Sequence, residues 1–282
     1  MFTKRLPYLL LGLLLLAGCR GGSKVVSQAE GFDFEEMMQH PWAVGGVVIN
    51  STMVPDGAAE KELQPLQKQW SGFSETCAPM LYGGLLRVAP EMELWTFDTV
   101  MSRVPEADLK ALLKDLERSR QAAPGSIRNL SEYLPKVSYV AFGRLDNTEL
   151  VTNQDMASTV VDQMNRDGRQ PHANTLSRTV SLRRGIYMSM EVYKISTGTM
   201  VWSGEADYWN AEFLDGDANE QSNDVQVLKN DDESEVTQIL MDGTMRNGPG
   251  LIDGIRSTCV KLTMAMKQGT IEEEASEDSA PF

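Results

Sequence analysis

Apolar residues follow two rhythms along this chain. Residues 42–50 (WAVGGVVIN) form an almost unbroken apolar, β-branched run, the pattern of a buried strand, and Pro55-Asp56-Gly57 then supplies turn chemistry. Over residues 60–86 the apolar positions change to three- and four-residue steps, from Leu63 and Leu66 through Phe73 and Cys77 to Leu81 and Leu85, which predicts helix bent or split at Pro65 and Pro79. Residues 92–100 (MELWTFDTV) read as a second strand. Residues 105–120 open on proline and acids, close on arginines and place Leu109, Leu112, Leu113 and Leu116 on one face, the strongest helix signal in the chain. A short helix (SIRNLSEYL) then leads into a third strand over residues 137–145 (VSYVAFGRL).

Residues 151–175 are polar with little periodicity, which predicts a long loop. Strict alternation follows over residues 179–193, with Val180, Leu182, Ile186, Met188, Met190 and Val192 on one face, interrupted by Arg184, and Ser181, Arg183, Ser189 and Glu191 on the other. Ser196-Thr197-Gly198 supplies a turn, and residues 199–209 return as the partner strand. An acidic, Asn/Asp-rich loop is expected over 212–235, an amphipathic closing helix over 248–267 and a charged disordered tail over 269–282. The order of elements predicts one α/β domain over 41–268, with helices packed against a mixed sheet of about five strands.

The amino terminus follows a different logic. Lys4 and Arg5 precede an apolar core over residues 6–16, too short for the roughly 20 residues of a membrane-spanning helix. Leu16-Ala17-Gly18-Cys19 then resembles the lipobox of bacterial lipoproteins. The resemblance implies that 1–18 is a signal peptide, that Cys19 becomes the acylated first residue, and that Arg20, not being aspartate, directs the chain to the outer membrane, facing the periplasm. Two or more acyl chains anchor stably. Residues 19–40, with Gly21, Gly22, Ser23, Ser27 and Gly31, read as a flexible tether reaching about 70 Å if extended, with residues 32–38 (FDFEEMM) as a candidate helical turn.

Charge and composition narrow the function. Loss of Lys4 and Arg5 takes the formal net charge from −14 to −16, which disfavours nucleic acid and anionic lipid headgroups as electrostatic partners. His40 and His172 both stand beside proline and read as solvated loop residues. No G-x-S-x-G, H-E-x-x-H, C-x-x-C or phosphate-loop motif occurs, so no catalytic residue, cofactor or metal is assigned. Asp215-Gly216-Asp217-Ala218-Asn219 imitates the start of a calcium loop, but Glu220 and Gln226 stand where glycine and a bidentate glutamate belong. Met188, Met190, Met264 and Met266 read as core filling rather than as soft-metal ligands. With Cys19 acylated, Cys77 and Cys259 remain as a disulfide candidate, the alternative being two buried thiols in two helices.

Two segments, LSEYLPKVSYVAFGRLDN and MSMEVYKISTGTMVWSGEADY, resemble a module of bacterial envelope lipoproteins that includes the curli secretion channel and the lipoprotein activators of penicillin-binding proteins; the amino-terminal domain of the Tol-associated propeller protein shares its fold. Gly143, Thr197, Gly198, Trp202 and Ser203 occupy the family's strand-ending glycine and hairpin positions. The resemblance implies a non-catalytic outer-membrane lipoprotein that binds an envelope protein partner in assembly, secretion or activation. Its alternatives are a homo-oligomeric secretion-channel subunit and an activator of a peptidoglycan synthase. A channel needs about ten residues of lipid-facing alternation per strand, and Arg184 would interrupt the best run.

Overall fold

The computed structural model describes residues 22–159, 175–216 and 250–268. These residues form β1 (Ser23–Gln28), α1 (Phe34–Met37), β2 (Trp42–Ile49), α2 (Gly57–Leu63), α3 (Gly72–Val88), β3 (Leu94–Trp95), α4 (Phe97–Arg103), α5 (Glu106–Arg118), α6 (Pro124–Tyr133), β4 (Tyr139–Thr159), β5 (Thr175–Lys194), β6 (Thr199–Gly216) and α7 (Leu251–Gln268). One mixed sheet orders the strands β1-β6-β5-β4-β2-β3, with β2 parallel to both β3 and β4 and β1 antiparallel to β6. The protein is of the α/β class. The described residues fall into two compact units, the first holding 22–148, 185–209 and 251–268 and the second 149–159, 175–184, 210–216 and residue 250.

In the first unit β2 is the central element, buried along all but its last residue. A bulge interrupts its register with β4 between Val44 and Gly46, where Gly46 takes a φ of 137° that side chains rarely adopt. Ser74 of α3 secures this bulge: its hydroxyl donates to the Val47 carbonyl at 2.6 Å and accepts the Val47 N–H at 3.3 Å.

Helices cover both faces of the sheet. Gly84 lets α3 approach the Cys259 carbonyl and Thr263 of α7, and Gly254 lets α7 approach Ile186 of β5. Tyr193, on the opposite face of β5 by the two-residue strand period, stacks edge-on against Phe142 of β4 and accepts the Ala122 N–H at 2.9 Å from the α5–α6 connection. On α5, Leu109, Leu112, Leu113 and Leu116 are all buried, one stripe at helical spacing facing the core.

The expected mixed sheet is present, its five anticipated strands joined at one edge by β1 to make six. Three expectations are corrected. Residues 23–28, expected within a flexible tether, form β1, since Ser23–Gln28 finds its hydrogen-bond partners on β6, while the expected helical turn within 32–38 is α1, which Asp33 caps by accepting from the Glu35 and Glu36 N–H groups. Residues 92–100 contain only a two-residue strand, because the Thr96 side chain caps α4 by accepting the Thr99 N–H. Residues 151–159 continue β4 instead of starting a loop, and residue 175 already belongs to β5.

Candidate functional site

Strand periodicity assembles a polar face that the sequence disperses over four strands. Phe142 and Tyr193 face each other, so even positions of β4 and odd positions of β5 share one side of the sheet. That side therefore receives Arg144 and Asp146 from β4 and Tyr187, Ser189 and Glu191 from β5. Glu205 of β6 joins them, paired with Arg120 from the α5–α6 connection and with Lys24 of β1 at 3.3 Å. A groove of about 580 Å³ opens here, lined among others by Lys24, Arg120, Arg144, Asp146, Glu205 and Asp207.

Arg144 is the fixed point of the groove. It is 5 % exposed, approaches Asp146 at 2.5 Å as an ion pair and donates to the Leu116 carbonyl at 3.5 Å, while its Nε has no hydrogen-bond partner. Glu191 lies deeper, 2 % exposed. Burial pushes its carboxyl up to about 8; Arg144 and Arg120 oppose the shift, and Asp146 and Glu205 reinforce it. At neutral pH Glu191 is therefore mostly protonated. The remaining charges, Lys24, Arg120 and Arg144 against Asp146, Glu205 and Asp207, balance. Ser189 and Thr148 add buried hydroxyls with no hydrogen-bond partner. This face presents donors, acceptors and both signs of charge.

A smaller cleft of about 320 Å³ lies beside the end of β2, lined by Asn50, Met53, Trp70, Phe73 and Glu117 among others. Burial raises the Glu117 carboxyl against the lowering effect of Lys114 and Arg118. Among the described residues no group of histidine, cysteine and carboxylate side chains could hold a metal ion.

The family-pattern residues all serve the architecture. Gly143 lies against Val47 and near Leu81, where a side chain would crowd the β2 and α3 packing. Thr197 donates to the Lys194 carbonyl at 3.5 Å and shares a 2.6 Å hydroxyl contact with Thr199. Gly198, at φ 70°, brings the β5–β6 turn against the Pro124 carbonyl that opens α6. Trp202 is fully buried with its ring over Gly204, and Ser203 is buried beside it on the strand. His40 is exposed near Tyr139. Met188, Met190 and Met266 are core residues, while Met264 is 43 % exposed. Cys19, the signal segment 1–18, His172, the tail 269–282 and the calcium-like run beyond Gly216 lie outside the described residues, as does the acidic loop beyond that glycine; residues 212–216 belong to β6.

Cys77 and Cys259 are both free, fully buried thiols on the packed helices α3 and α7. Burial raises both, Cys259 to about 12, and the proximity of Cys259 raises Cys77 further. Neither is a thiolate at neutral pH, so neither should react with a disulfide reagent in the native fold. Unfolding in denaturant without reductant should release two titratable thiols; release of none would establish a bridge between them.

No family model matches the chain, and no curated protein matches it. Among solved structures, two crystal forms of the PelC dodecamer from Paraburkholderia phytofirmans are similar at 10% identity, covering 88% of this chain and 98% of that one, with TM-scores of 0.31 and 0.30. Lipoprotein GNA1162 from Neisseria meningitidis is similar at 10% identity over 72% of this chain and 94% of its own, with a TM-score of 0.28.

Proposed function

We propose that the chain is a non-catalytic lipoprotein, acylated on Cys19 and held at the outer membrane, whose α/β domain binds an envelope protein partner through the charged groove. The observation that carries this reading is the position of β1. Gly22, three residues after Cys19, is hydrogen-bonded to Asp207 through both its N–H and its carbonyl, so the lipobox is followed almost at once by a sheet edge. The expected 70 Å tether is thereby reduced to about 11 Å, three Cα–Cα steps. A partner must come to this leaflet, which disfavours activation of a distant inner-membrane synthase.

The groove supports recognition of a protein surface because exposed Lys24 and Arg120 and the acids around them offer both signs, the arrangement that fixes register between partners. A photo-crosslinking residue at Asn147, which is exposed on the groove wall, should capture one heterologous envelope protein in intact cells. Capture should fail when Lys24 and Arg120 are both changed to glutamate. Capture that survives this reversal, or that joins only copies of this chain, contradicts the reading.

A homo-oligomeric channel is the second reading. The observation in its favour is strand length: β4, β5 and β6 have 21, 20 and 18 residues, well beyond the usual 3–10 or so. Ion conductance by a homo-oligomer in planar bilayers would establish it.

A further inference from the structure

The short distance from Cys19 to β1 has a consequence for the surface around Gly22. The Gly22 N–H donates to Asp207 Oδ1 at 2.7 Å, and the Asp207 N–H donates to the Gly22 carbonyl at 3.0 Å. This fixes the beginning of β1 beside Asp207, Tyr208 and Trp209 of β6. The three aromatic residues nearby occupy both faces of the sheet. Trp209 stacks edge-on against Tyr187 of β5 with ring centroids 6.0 Å apart, and Gly185 leaves room for its indole. Tyr208, on the opposite face by strand alternation, carries the Lys261 ammonium of α7 at 5.2 Å from its ring centroid. Lys261 also donates to the Asp207 carbonyl at 3.0 Å. All three rings are partly exposed.

Tyrosine and tryptophan at this depth combine an apolar body with a polar tip, the character that concentrates them at the level of lipid headgroups. A lysine beside them reaches phosphate and keeps its stem on apolar surface. These residues lie within a few residues' reach of the acylated amino terminus, whereas an unconstrained chain of twenty residues would have left the domain free of the bilayer.

We infer that Tyr187, Tyr208, Trp209 and Lys261, around the Gly22 end of β1, form a surface that rests on the lipid headgroups of the leaflet in which the Cys19 acyl chains are buried. The inference rests on the lipoprotein reading. The acyl chains supply the attachment, and the aromatic surface sets the orientation of the domain, so that the groove lined by Lys24 and Arg120 is presented close to the membrane plane.

The test uses the purified acylated chain in vesicles of phosphatidylethanolamine and phosphatidylglycerol that contain a headgroup spin-labelled lipid. Emission assigned to Trp209, taken as the difference between the wild type and Trp209→Phe, should be quenched by the headgroup label and less by a label deep in the acyl region. Insertion of a long Gly/Ser spacer between Cys19 and Gly22 should abolish the quenching while vesicle attachment persists; this chain keeps the domain sequence and separates loss of orientation from loss of folding. An acylated, vesicle-bound wild type whose Trp209 emission is unaffected by the headgroup label overturns the inference and leaves the anchor intact. A chain with no acyl groups on Cys19, read from the mass of its amino-terminal peptide, overturns both.

Discussion

Glu191→Gln should flatten the dependence of stability on pH between 4.5 and about 8, the interval between the ordinary carboxyl value and that of Glu191 in the fold. Burial favours the protonated carboxyl in the folded chain, so across this interval the folded state binds more protons than the unfolded state. Stability contributed by the neutral acid is therefore present below the unfolded value and is lost as pH rises through about 8, the reverse of an ion-paired carboxylate. At 1.36 kcal/mol per pKa unit the full effect is on the order of 5 kcal/mol. Glutamine keeps the shape and cannot ionise, so the variant should equal the wild type near pH 4.5 and exceed it above pH 8. Urea unfolding at a series of pH values, read as the difference between the two chains, isolates Glu191 from every other titrating group. Parallel curves would show that Glu191 titrates as an ordinary carboxyl.

Gly198→Ala should destabilise the protein by on the order of 3 kcal/mol, from two separable costs. A non-glycine residue in the left-handed region costs roughly 1–2 kcal/mol. At this position the new Cβ also overlaps the Pro124 carbonyl oxygen, a backbone atom at the start of α6 that cannot move without shifting the helix. Gly198→Asn separates the two, because asparagine tolerates a φ of 70° better but carries the same Cβ. Both variants should lower the urea midpoint, asparagine less than alanine. A near-neutral asparagine variant would show that α6 yields to the turn at little cost. Against a total stability of about 5–15 kcal/mol for a natural domain, the alanine effect is large.

Much of the first unit was legible because its signals are local. The leucine spacing of α5 needs no partner to declare a helix, and the apolar alternation around Ile186 with the Thr197-Gly198 turn declares the β5–β6 hairpin. The missed elements depend on distant segments. Ser23–Gln28 is a short stretch with only two apolar residues that becomes a strand because β6 offers it an edge, and β4 continues past the end of its pairing with β2 at Leu145, through residues with weak strand preference, with β5 as its remaining neighbour in the sheet. The short strand Leu94–Trp95 was legible, but the helix after it was hidden by the resemblance of FDTV to strand sequence.

The site was legible as a pattern but not in its setting. Ser189 and Glu191 alternate with the apolar residues of β5, and the alternation does not say what covers their face. In the fold both are buried, Tyr193 on the same face of the strand is bonded to Ala122 of the α5–α6 connection, and Arg144 approaches Asp146. Sequence spacing carries no record of a loop crossing a strand from 70 residues away (|i−j| = 71 for Ala122 and Tyr193). The sequence signal for the groove is the recurrence of polar residues at two-residue steps, Arg144 with Asp146 and Ser203 with Glu205.

The account turns on Cys19, since the anchor places the sheet edge, the groove and the partner at one leaflet. Metabolic labelling with palmitate of cells expressing the wild type and Cys19→Ser tests this most directly. The account predicts label in the wild-type chain and none in Cys19→Ser, with wild type in the outer-membrane fraction; equal incorporation into the two chains, or none into either, would contradict it.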